Sequence, residues 1–364
     1  MKKVLFVASV IGHFKVFHMP YIEYFKEKGY QVEAAAKLRD DIEVCDIQHN
    51  ICFERNPFKV KNFSAYRKLK KLINGDVYDI IHCHTPVAAM MTRLAARKSR
   101  KKGTRVIYTA HGFHFFKGAP LLNWLIYFPV EWICAFFTDT LITINEEDFA
   151  FAKKHLHTKD IKYVRGVGVN VDKIKNASID YDKKREELGI PKDALAVLSV
   201  GELNSNKNHE TVLRAIAALS RKDIVYVVCG KGGKKEYLEN LAKELGIAGN
   251  FISAGYRSDI PEVLKCCDIF AFPSLREGLP VSVMEAMFAG MPIVASDIRG
   301  NRDLIKDGKN GFLCRPTDVL GFAENIRRLA ENKELRDSFG EQGKMLIVPF
   351  TKEEVMAEMS KIYG

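Results

Sequence analysis

Two glutamates eight positions apart, Glu277 and Glu285, carry the clearest chemical signal in this 364-residue sequence. Glu277 follows the apolar stretch DIFAFPS, and Glu285 lies inside the helix predicted next. Pro280 suits the first helical position, because its fixed φ fits there and its missing N–H would have no partner. Neither Ser, Thr, Asp nor Asn precedes it as a cap, so the free amides around Leu279 and Val281 are left for an external anion.

A phosphate at this helix end would have Glu277 beside it and Glu285 about one turn deeper. A carboxylate accepts hydrogen bonds from the paired hydroxyls of a ribose or hexose, so the arrangement suits a nucleotide sugar. Two glutamates alone could equally belong to a solvated helix face. The whole stretch PSLREGLPVSVMEAMFAGMPIVAS (273–296) is far more specific.

The elements that must position these residues alternate between apolar strands and helices. Continuous apolar strands such as KVLFVASV and RVIYTA indicate a buried parallel sheet with helices on both faces, and the rhythm restarts at LAVLSVG (195–201). The predicted fold is α/β, with two Rossmann-like doubly wound domains facing across a cleft. The predicted boundaries are 1–168 and 169–349, with a helix at about 350–364 packing back on the first domain.

The formal net charge of +11 arises entirely in residues 1–170, since residues 171–364 contain equal numbers of basic and acidic side chains. Apart from RKSRKK (97–102) the positive residues are dispersed and do not interleave with an RNA-binding motif. We therefore expect an anionic membrane surface or a phosphate-bearing substrate as partner, and no nucleic acid. A solvated lysine-rich face is the alternative.

The aromatic segment LLNWLIYFPVEWICAFF (121–137) is interrupted by Asn123, Pro129 and Glu131 and is barely long enough to span a bilayer. It is predicted either as a buried helix or as a helix in the interfacial layer, which suits tryptophan. Eight cysteines without a CxxC pair indicate reduced thiols. The expected location is cytoplasmic, with peripheral contact to the inner face of the cell membrane.

Several stretches resemble one known family along the whole chain: HFKVFHMPY (13–21), HCHTPV (82–87), YTAHGFHFFKGAP (108–120), GELNSNKNH (201–209) and the Glu277–Glu285 spacing. The sequence is similar to family 4 glycosyltransferases of the GT-B architecture, especially bacterial exopolysaccharide and capsule enzymes. The resemblance implies transfer from a nucleotide-diphosphate sugar, expected to be UDP-linked, to a polyprenyl-diphosphate-linked saccharide. It implies retention of the anomeric configuration without a metal or other cofactor.

The resemblance also implies roles for individual residues. Glu277 would contact the donor sugar, Lys207 would neutralise the diphosphate, and His111 would face the sugar from the other domain; these three are the expected catalytic residues. Donor binding is expected from these positions: Gly12, Gly201, Asn204, Lys207, Arg257, Glu277, Gly278, Leu279, Val281 and Glu285. Gly12 corresponds to the glycine of the first loop, and Arg257 to the loop bordering the base.

One position departs from the family pattern, because Glu202 stands where many members have an arginine that partners the lysine on the diphosphate. A carboxylate 4 Å from a phosphate charge costs about 4 kcal/mol at an effective dielectric constant near 20. Glu202 is therefore expected to turn away or to be neutralised by Lys231, Arg257 or Arg299.

The basic N-terminal half is expected to hold the acceptor through His13, Lys15 and His84. His82 and His84 alternate on one strand, a pattern that can ligate zinc. The sequence indicates no third or fourth ligand nearby, so no metal site is predicted.

Three other functions remain open from the sequence. One is a sugar-nucleotide epimerase of the same architecture. Another is a non-catalytic partner subunit of a polysaccharide assembly complex, in which Glu202 impairs donor binding. The third is a nicotinamide-dependent oxidoreductase, supported only by the glycine cluster CGKGG (229–233) without the full spacing.

Overall fold

The computed structural model of the protein describes residues 1–38, 41–54, 56–57 and 59–364. These residues form two compact units, one comprising Met1–Val167 with Val355–Gly364 and the other Gly168–Glu354. Each unit contains a parallel sheet flanked by helices, and the doubly wound α/β class predicted from the sequence is confirmed. Within the described residues, every helix is too short or too polar to cross a bilayer.

The first unit is built on a seven-stranded sheet whose strands follow the order β3-β2-β1-β4-β5-β6-β7. The strands are β1 (Lys3–Val10), β2 (Gln31–Lys37), β3 (Ile47–Asn50), β4 (Ile80–His84), β5 (Arg105–Ala110), β6 (Thr140–Thr143) and β7 (Asp160–Tyr163). The helices are α1 (Ile11–Phe17), α2 (Met19–Glu27), α3 (Lys61–Gly75), α4 (Pro86–Ala95), α5 (Arg97–Lys101), α6 (Leu121–Ala135) and α7 (Glu146–His155).

Both faces of this sheet are buried, which explains the continuous apolar strands. Val4 and Phe6 enter one core cluster and Leu5 and Val7 enter another, as the alternation of side chains along a strand requires.

The second unit is built on a six-stranded sheet with the order β10-β9-β8-β11-β12-β13. Its strands are β8 (Leu195–Val200), β9 (Ile224–Cys229), β10 (Phe251–Gly255), β11 (Ile269–Phe272), β12 (Ile293–Ser296) and β13 (Gly311–Cys314). Its helices are α8 (Asp172–Lys175), α9 (Tyr181–Leu188), α10 (His209–Leu219), α11 (Lys235–Glu244), α12 (Ile260–Lys265), α13 (Val281–Phe288), α14 (Asn301–Leu304), α15 (Val319–Glu331) and α16 (Lys333–Ile347), with 3₁₀ turns at Ala248–Asn250 and Val348–Phe350.

The last helix, α17 (Lys352–Tyr363), contributes its second part to the first unit. Val355, Met359 and Tyr363 are buried in the same cluster as Phe6. The Tyr363 hydroxyl lies 2.9 Å from His82 Nδ1. The C-terminal residues therefore complete the core of the first unit.

The strand order reverses direction between β1 and β4 in the first sheet and between β8 and β11 in the second. At this point the loops after two adjacent strands run in opposite directions and leave a crevice at the carboxyl edge of the sheet. Ligands of doubly wound sheets bind in this crevice. Each unit therefore has one topologically defined place for a ligand.

Candidate functional site

Lys207 and Glu277 meet at the reversal point of the second sheet. Lys207 lies between β8 and α10, Glu277 lies between β11 and α13, and Lys207 Nζ is 2.8 Å from Glu277 Oε1. Both side chains are largely shielded from solvent, at 20% and 15% exposure. The structure thus brings together two of the residues expected to act on the donor.

Backbone contacts hold these two loops against each other. The Leu275 amide donates to the Asn206 carbonyl at 2.8 Å, and Asn206 Nδ2 donates to the Arg276 carbonyl at 2.9 Å. A buried arginine after β12, Arg299, donates through Nε to the Glu277 carbonyl at 3.2 Å. The position of Glu277 is therefore fixed from both sides.

The Lys207 side chain lies over Gly201, the residue that follows β8. A Cβ at Gly201 would come within 3.2 Å of Lys207 Cε, so the absent side chain leaves room for the lysine stem. The ammonium also lies 4.7 Å from the centre of the Phe272 ring, a cation–π distance. Asn204 Oδ1 accepts a hydrogen bond from the Lys207 amide at 3.0 Å. Gly201 and Asn204 therefore both help to position Lys207.

The sequence predicted Pro280 as the first residue of the helix. In the structure, helix α13 begins at Val281 and Pro280 is its N-cap. A proline cannot cap through its side chain, and the structure shows no side-chain cap here. Within the described part of the chain, no protein acceptor is found for the amides of Val281 and Ser282. They add to the partial positive charge of the helix end and can hold an anion.

The segment leading into α13 approaches another loop closely. A Cβ at Gly300, whose φ is +78°, would lie 2.4 Å from the Gly278 carbonyl oxygen. The side chain of Leu279 is 9% exposed and anchors this segment in the protein. The backbone at Gly278 and Leu279 is therefore held in place immediately before the open amides.

Glu285 lies one helical turn beyond Val281 on α13. Burial raises the pKa of its carboxyl to about 7, while the charge of Lys173 acts in the opposite direction. Among the residues that the structure describes, no ion-pair partner lies at hydrogen-bonding distance from this half-buried carboxylate, which suits it to accept hydrogen bonds from ligand hydroxyls. Such perturbed groups occur often at functional sites.

Glu202 is exposed, and its Oε2 accepts a hydrogen bond from Asn204 Nδ2 at 2.7 Å. Its three expected partners are engaged elsewhere: Lys231 lies over the Tyr256 ring, Arg257 binds carboxylates, and Arg299 binds the Glu277 carbonyl. Asn204 thus holds both the Glu202 carboxylate and the Lys207 backbone in position through hydrogen bonds.

The structure does not bring Arg257 to Lys207 and Glu277. Its guanidinium donates to Asp259 and, at 2.5 Å, to Glu187. Arg257 follows β10, which is two strands away from β8, so it starts about 10 Å from the loop carrying Lys207. Its contact with the base stays a prediction.

In the first unit, four histidines come together at the reversal point of the sheet: His13, His18, His84 and His111. One ring nitrogen of each lies within 4.8 Å of the others. The expectation that no third or fourth ligand lies near His84 is therefore wrong. His82 is not one of the four, because Tyr363 and Thr109 occupy both its nitrogens at 2.9 and 2.8 Å.

One other expected residue of this unit is placed differently from the prediction. Gly12 is the second residue of α1 and not part of a loop, and a Cβ there would meet no atom within 4 Å. Lys15 is an exposed residue of the same helix, and its contact with an acceptor stays a prediction.

Sequence reasoning missed Asn206, the role of Asn204 towards Glu202, and the place of His18 beside His84. The two asparagines lie in the stretch ELNSNKN, which the family resemblance marked for Asn204 as a donor-binding position, whereas nothing in it pointed to the contacts with Glu202 and Arg276. The His18 grouping depends on the neighbouring positions of β1 and β4, which are 70 residues apart in the chain.

Two family models match the chain. The model described as "Glycosyl transferase 4-like" matches residues 3–145, and the model described as "Glycosyl transferases group 1" matches residues 180–345. The matched regions contain the histidine cluster of the first unit and the Lys207–Glu277 pair of the second.

Known proteins extend the similarity to the full length. The chain is 41% identical over 368 residues to the putative glycosyltransferase EpsD of Bacillus subtilis, covering 100% of this chain and 96% of the relative. It is 31% identical over 287 residues to the UDP-Gal:α-D-GlcNAc-diphosphoundecaprenol α-1,3-galactosyltransferase of Escherichia coli, covering 77% and 74%.

Among solved structures, HepE of Anabaena in complex with UDP and glucose superposes with a TM-score of 0.82 at 18% identity, covering 100% of this chain and 99% of that one. This likeness concerns the fold, which is of the GT-B class. With both family models matched and a full-length relative at 41% identity, the chain belongs to the group 1 glycosyltransferases of family 4.

Proposed function

We propose that this glycosyltransferase moves a sugar from a UDP-sugar to a polyprenyl-diphosphate-linked saccharide with retention of the anomeric configuration. The product would be an intermediate in exopolysaccharide or capsule assembly. The unit Gly168–Glu354 binds the donor in this proposal, and the unit Met1–Val167 with Val355–Gly364 binds the acceptor.

The observation that carries the proposal is the Lys207–Glu277 contact of 2.8 Å beside the open amides of α13. When the donor binds, the Lys207 ammonium and the backbone amides of Gly278, Leu279 and Val281 stabilise the diphosphate, whose negative charge grows as the glycosidic bond breaks. Glu277 accepts hydrogen bonds from the sugar hydroxyls, and Glu285 from the ribose. Electrostatic stabilisation of this kind typically contributes about 3–4 kcal/mol per donor group in the transition state.

Retention follows from attack on the same face from which the diphosphate departs. A phosphate oxygen of the leaving group accepts the proton of the acceptor hydroxyl, so the enzyme needs no carboxylate as a covalent nucleophile. His111 faces the sugar in this proposal, and His13 and His84 contribute to the acceptor side. The exposed Lys15 stays a proposed contact of the acceptor's diphosphate, made from outside the histidine cluster.

The choice of acceptor is supported by the relatives. The E. coli relative is named as acting on a GlcNAc-diphosphoundecaprenol with UDP-Gal as donor. The conformation of Glu202 also favours catalysis over the impaired partner subunit, because its carboxylate is held by Asn204 in an exposed position.

The helix α6 offers a surface for peripheral contact with an anionic membrane. Trp124 packs against Phe115 and Phe151, whereas the opposite side exposes a row of apolar residues: Leu121, Leu122, Leu125, Trp132, Ile133 and Phe136. A buried ion pair of Glu131 with Arg93 at 2.8 Å fixes which side of α6 faces outward.

A basic groove lies at the C-terminal end of this apolar row. Its lining includes Phe136 together with five basic side chains: Arg97, Lys98, Arg100, Lys101 and Lys159. Apolar side chains beside a cluster of basic ones match the interface of an anionic bilayer. We propose that this surface holds the enzyme at the inner face of the cell membrane, where a lipid-linked acceptor is accessible.

The function is tested by incubating the purified protein with a panel of UDP-, GDP- and TDP-sugars and a synthetic polyprenyl-diphosphate GlcNAc, with products identified by mass spectrometry and the new linkage by NMR. A UDP-sugar is expected to give a product with the donor's anomeric configuration. The Glu277→Gln variant serves as the inactive control.

Transfer with inversion of the anomeric configuration would contradict the proposal. Release of UDP without a glycosylated acceptor, whichever donor is used, would contradict it as well. Conversion of a UDP-sugar into its epimer would favour the epimerase instead.

A further inference from the structure

His209 is a buried histidine at the end of the loop that carries Lys207. It is the first residue of α10, two positions after Lys207, and it is only 4% exposed. The proposed transfer of a sugar gives this ring no direct role. A titratable side chain held inside the protein so close to a ligand-binding lysine is nevertheless able to respond to the ligand's charge.

Three groups on neighbouring strands fix the direction in which His209 donates a hydrogen bond. The Ala271 carbonyl of β11 accepts from the Ser199 hydroxyl of β8 at 2.5 Å, and Ser199 Oγ accepts from the Tyr226 hydroxyl of β9 at 2.9 Å. The Tyr226 oxygen lies 3.2 Å from His209 Nδ1. Because the proton of Tyr226 is already donated to Ser199, this oxygen accepts from the ring, and Nδ1 carries the hydrogen.

The other ring nitrogen, His209 Nε2, is then a lone pair. A neutral imidazole carries a hydrogen on one nitrogen only, and Nε2 is buried without a hydrogen-bond partner among the described residues. Buried polar atoms are nearly always satisfied, so this nitrogen is an exception that needs a reason. A proton on Nε2 would turn it into a donor beside the backbone carbonyls of Gly201 and Glu202, which favour the protonated ring.

The surroundings keep that proton away in the free protein. Burial lowers the pKa of His209 to about 4, and the charge of Lys207 acts in the same direction, against the carbonyls of Gly201 and Glu202. Burial also raises the pKa of Tyr226, so the titratable group in contact with the ring stays neutral. His209 is therefore uncharged near pH 7 while Lys207 keeps its full charge.

The other charged groups on the elements around α10 are paired among themselves. Glu210 of α10 binds Arg214 of the same helix and accepts from the Tyr237 hydroxyl of α11. Glu277, which follows β11, pairs with Lys207. Helix α15 contributes apolar side chains to the core that it shares with α10. Of the charges near the ring, that of Lys207 is the one that a bound diphosphate would compensate.

We propose that His209 takes up a proton from solvent when the donor's diphosphate binds Lys207, and that the charged ring then holds the loop through the carbonyls of Gly201 and Glu202. The inference rests on the proposed donor site at Lys207. A diphosphate compensates the ammonium and adds negative charge beside it, and both changes favour the imidazolium. His209 is thus a positioning residue that acts through this loop and does not touch the substrate.

A proton and a diphosphate that favour each other's binding do so by the same factor. Above the pKa of about 4 in the free protein, and up to the higher pKa in the complex, the complex holds a proton that the free protein lacks. The contribution of His209 to UDP affinity therefore rises as the pH falls through this range.

The first measurement uses the full-length protein with ¹⁵N-labelled histidine, UDP as the probe, and long-range ¹H–¹⁵N NMR, which distinguishes the two neutral tautomers from the imidazolium. At pH 5.5 we expect the Nδ1–H tautomer of His209 in the free protein and a shift towards the imidazolium with saturating UDP. The exposed His157 is the internal control, and its signals should not change. Without UDP, Lys207→Met should raise the pKa of His209, because it removes a repelling charge.

The second measurement compares UDP affinity by isothermal titration in the unaltered protein and in His209→Gln, whose side chain cannot take up the proton. The ratio of the two affinities should change by about fivefold or more in favour of the unaltered protein between pH 7.5 and pH 5.0. Protonation of UDP itself and of Glu285 affects both proteins alike and cancels in this ratio. His157→Gln is the matched control, and its affinity should follow that of the unaltered protein at both pH values.

The inference is overturned if the free protein carries the Nε2–H tautomer, if UDP binds without changing the His209 signals, or if the affinity ratio is the same at both pH values. His209→Gln identifies the NMR signal, and Tyr226→Phe, which removes the acceptor of Nδ1–H, identifies it if the first variant does not fold. If UDP binds and His209 does not respond, this inference alone fails. If UDP does not bind at all, the proposed donor site fails together with it.

Discussion

Lys207 and Glu277 are 70 residues apart in the chain, yet Lys207 Nζ lies 2.8 Å from Glu277 Oε1 at the reversal point of the second sheet. The pair neutralises itself in the free protein and holds two loops in position. In the proposed complex the lysine gains the diphosphate as a second partner, and the carboxylate gains the sugar hydroxyls. The two residues should therefore respond differently to substitution.

Lys207→Met is expected to weaken UDP binding by about 10- to 150-fold, because hydrogen bonds to charged groups are worth about 1.5–3 kcal/mol. Glu277→Gln should change UDP affinity by less than about threefold and lower kcat by about 100-fold or more, because its ligand is the sugar. Isothermal titration with UDP and initial-rate kinetics separate the two effects. Lys235→Met, an exposed lysine of α11, is the control. Equal losses of UDP affinity in Lys207→Met and Glu277→Gln would refute this division of roles.

The absence of a side chain at Gly201 is expected to determine the conformation of the Lys207 side chain. In Gly201→Ala the new methyl group would approach Lys207 Cε to 3.2 Å, so the lysine stem must shift by a few tenths of an ångström. We expect UDP affinity to fall by about three- to tenfold, since a small displacement of a charged donor loses part of its interaction. Gly233→Ala is the matched control, because a Cβ there meets no atom within 4 Å. Similar UDP affinities in the two variants would show that Gly201 does not position the lysine.

Glu285 should make the stability of the second unit depend on pH. Burial raises the pKa of its carboxyl to about 7 in the folded protein, above the value of about 4.3 in an unfolded chain. Between these values the folded state holds a proton that the unfolded state has lost, so the free energy of unfolding falls as the pH rises from about 4.3 to about 7 and is constant above that. Glu285→Gln should therefore be more stable than the unaltered protein at pH 8 by about 1–3 kcal/mol, and similar at pH 4.5.

Urea unfolding at the two pH values measures this difference. The same variant should bind UDP more weakly at pH 8, because the ribose loses a charged acceptor. A Glu285→Gln protein that gains no stability at alkaline pH, or that binds UDP normally, would contradict the role given to this carboxyl.

The exposed side of α6 should decide membrane association. Replacing Trp132 and Ile133 by serine is expected to lower binding to phosphatidylglycerol vesicles about tenfold or more, because both side chains are partly exposed and apolar. The control replaces Leu320 and Met345, which are exposed apolar residues of the second unit. Sedimentation with vesicles at low and high salt measures the apolar and electrostatic contributions. If vesicle binding persists after the α6 substitutions, or falls as much in the control, the exposed side of α6 does not mediate membrane association.

The sequence predicted the central strands of both sheets because strands buried on both faces are continuously apolar. It missed β3 and β7, whose sequences IQHN and DIKY are short and polar. Both are edge strands, exposed on one side, so they lack the apolar signal on which the prediction depends. The short strand β13 was missed as well, because its four residues begin with a glycine.

The site was accessible from the sequence only in part. The Glu277–Glu285 spacing and the uncapped helix end indicated an anion site, because both features are local along the chain. The contact of Lys207 with Glu277 and the grouping of His18 and His111 depend on which strands are neighbours. Strand order is a long-range property, so only the structure reveals these contacts.

A crystal structure with UDP bound would show whether the donor lies at the Lys207–Glu277 pair. Phosphate oxygens are expected within hydrogen-bonding distance of Lys207 Nζ and of the backbone amides of Gly278, Leu279 and Val281, with the ribose hydroxyls on Glu285. UDP bound elsewhere in the protein, with Lys207 still paired only to Glu277 and the α13 amides free, would contradict it.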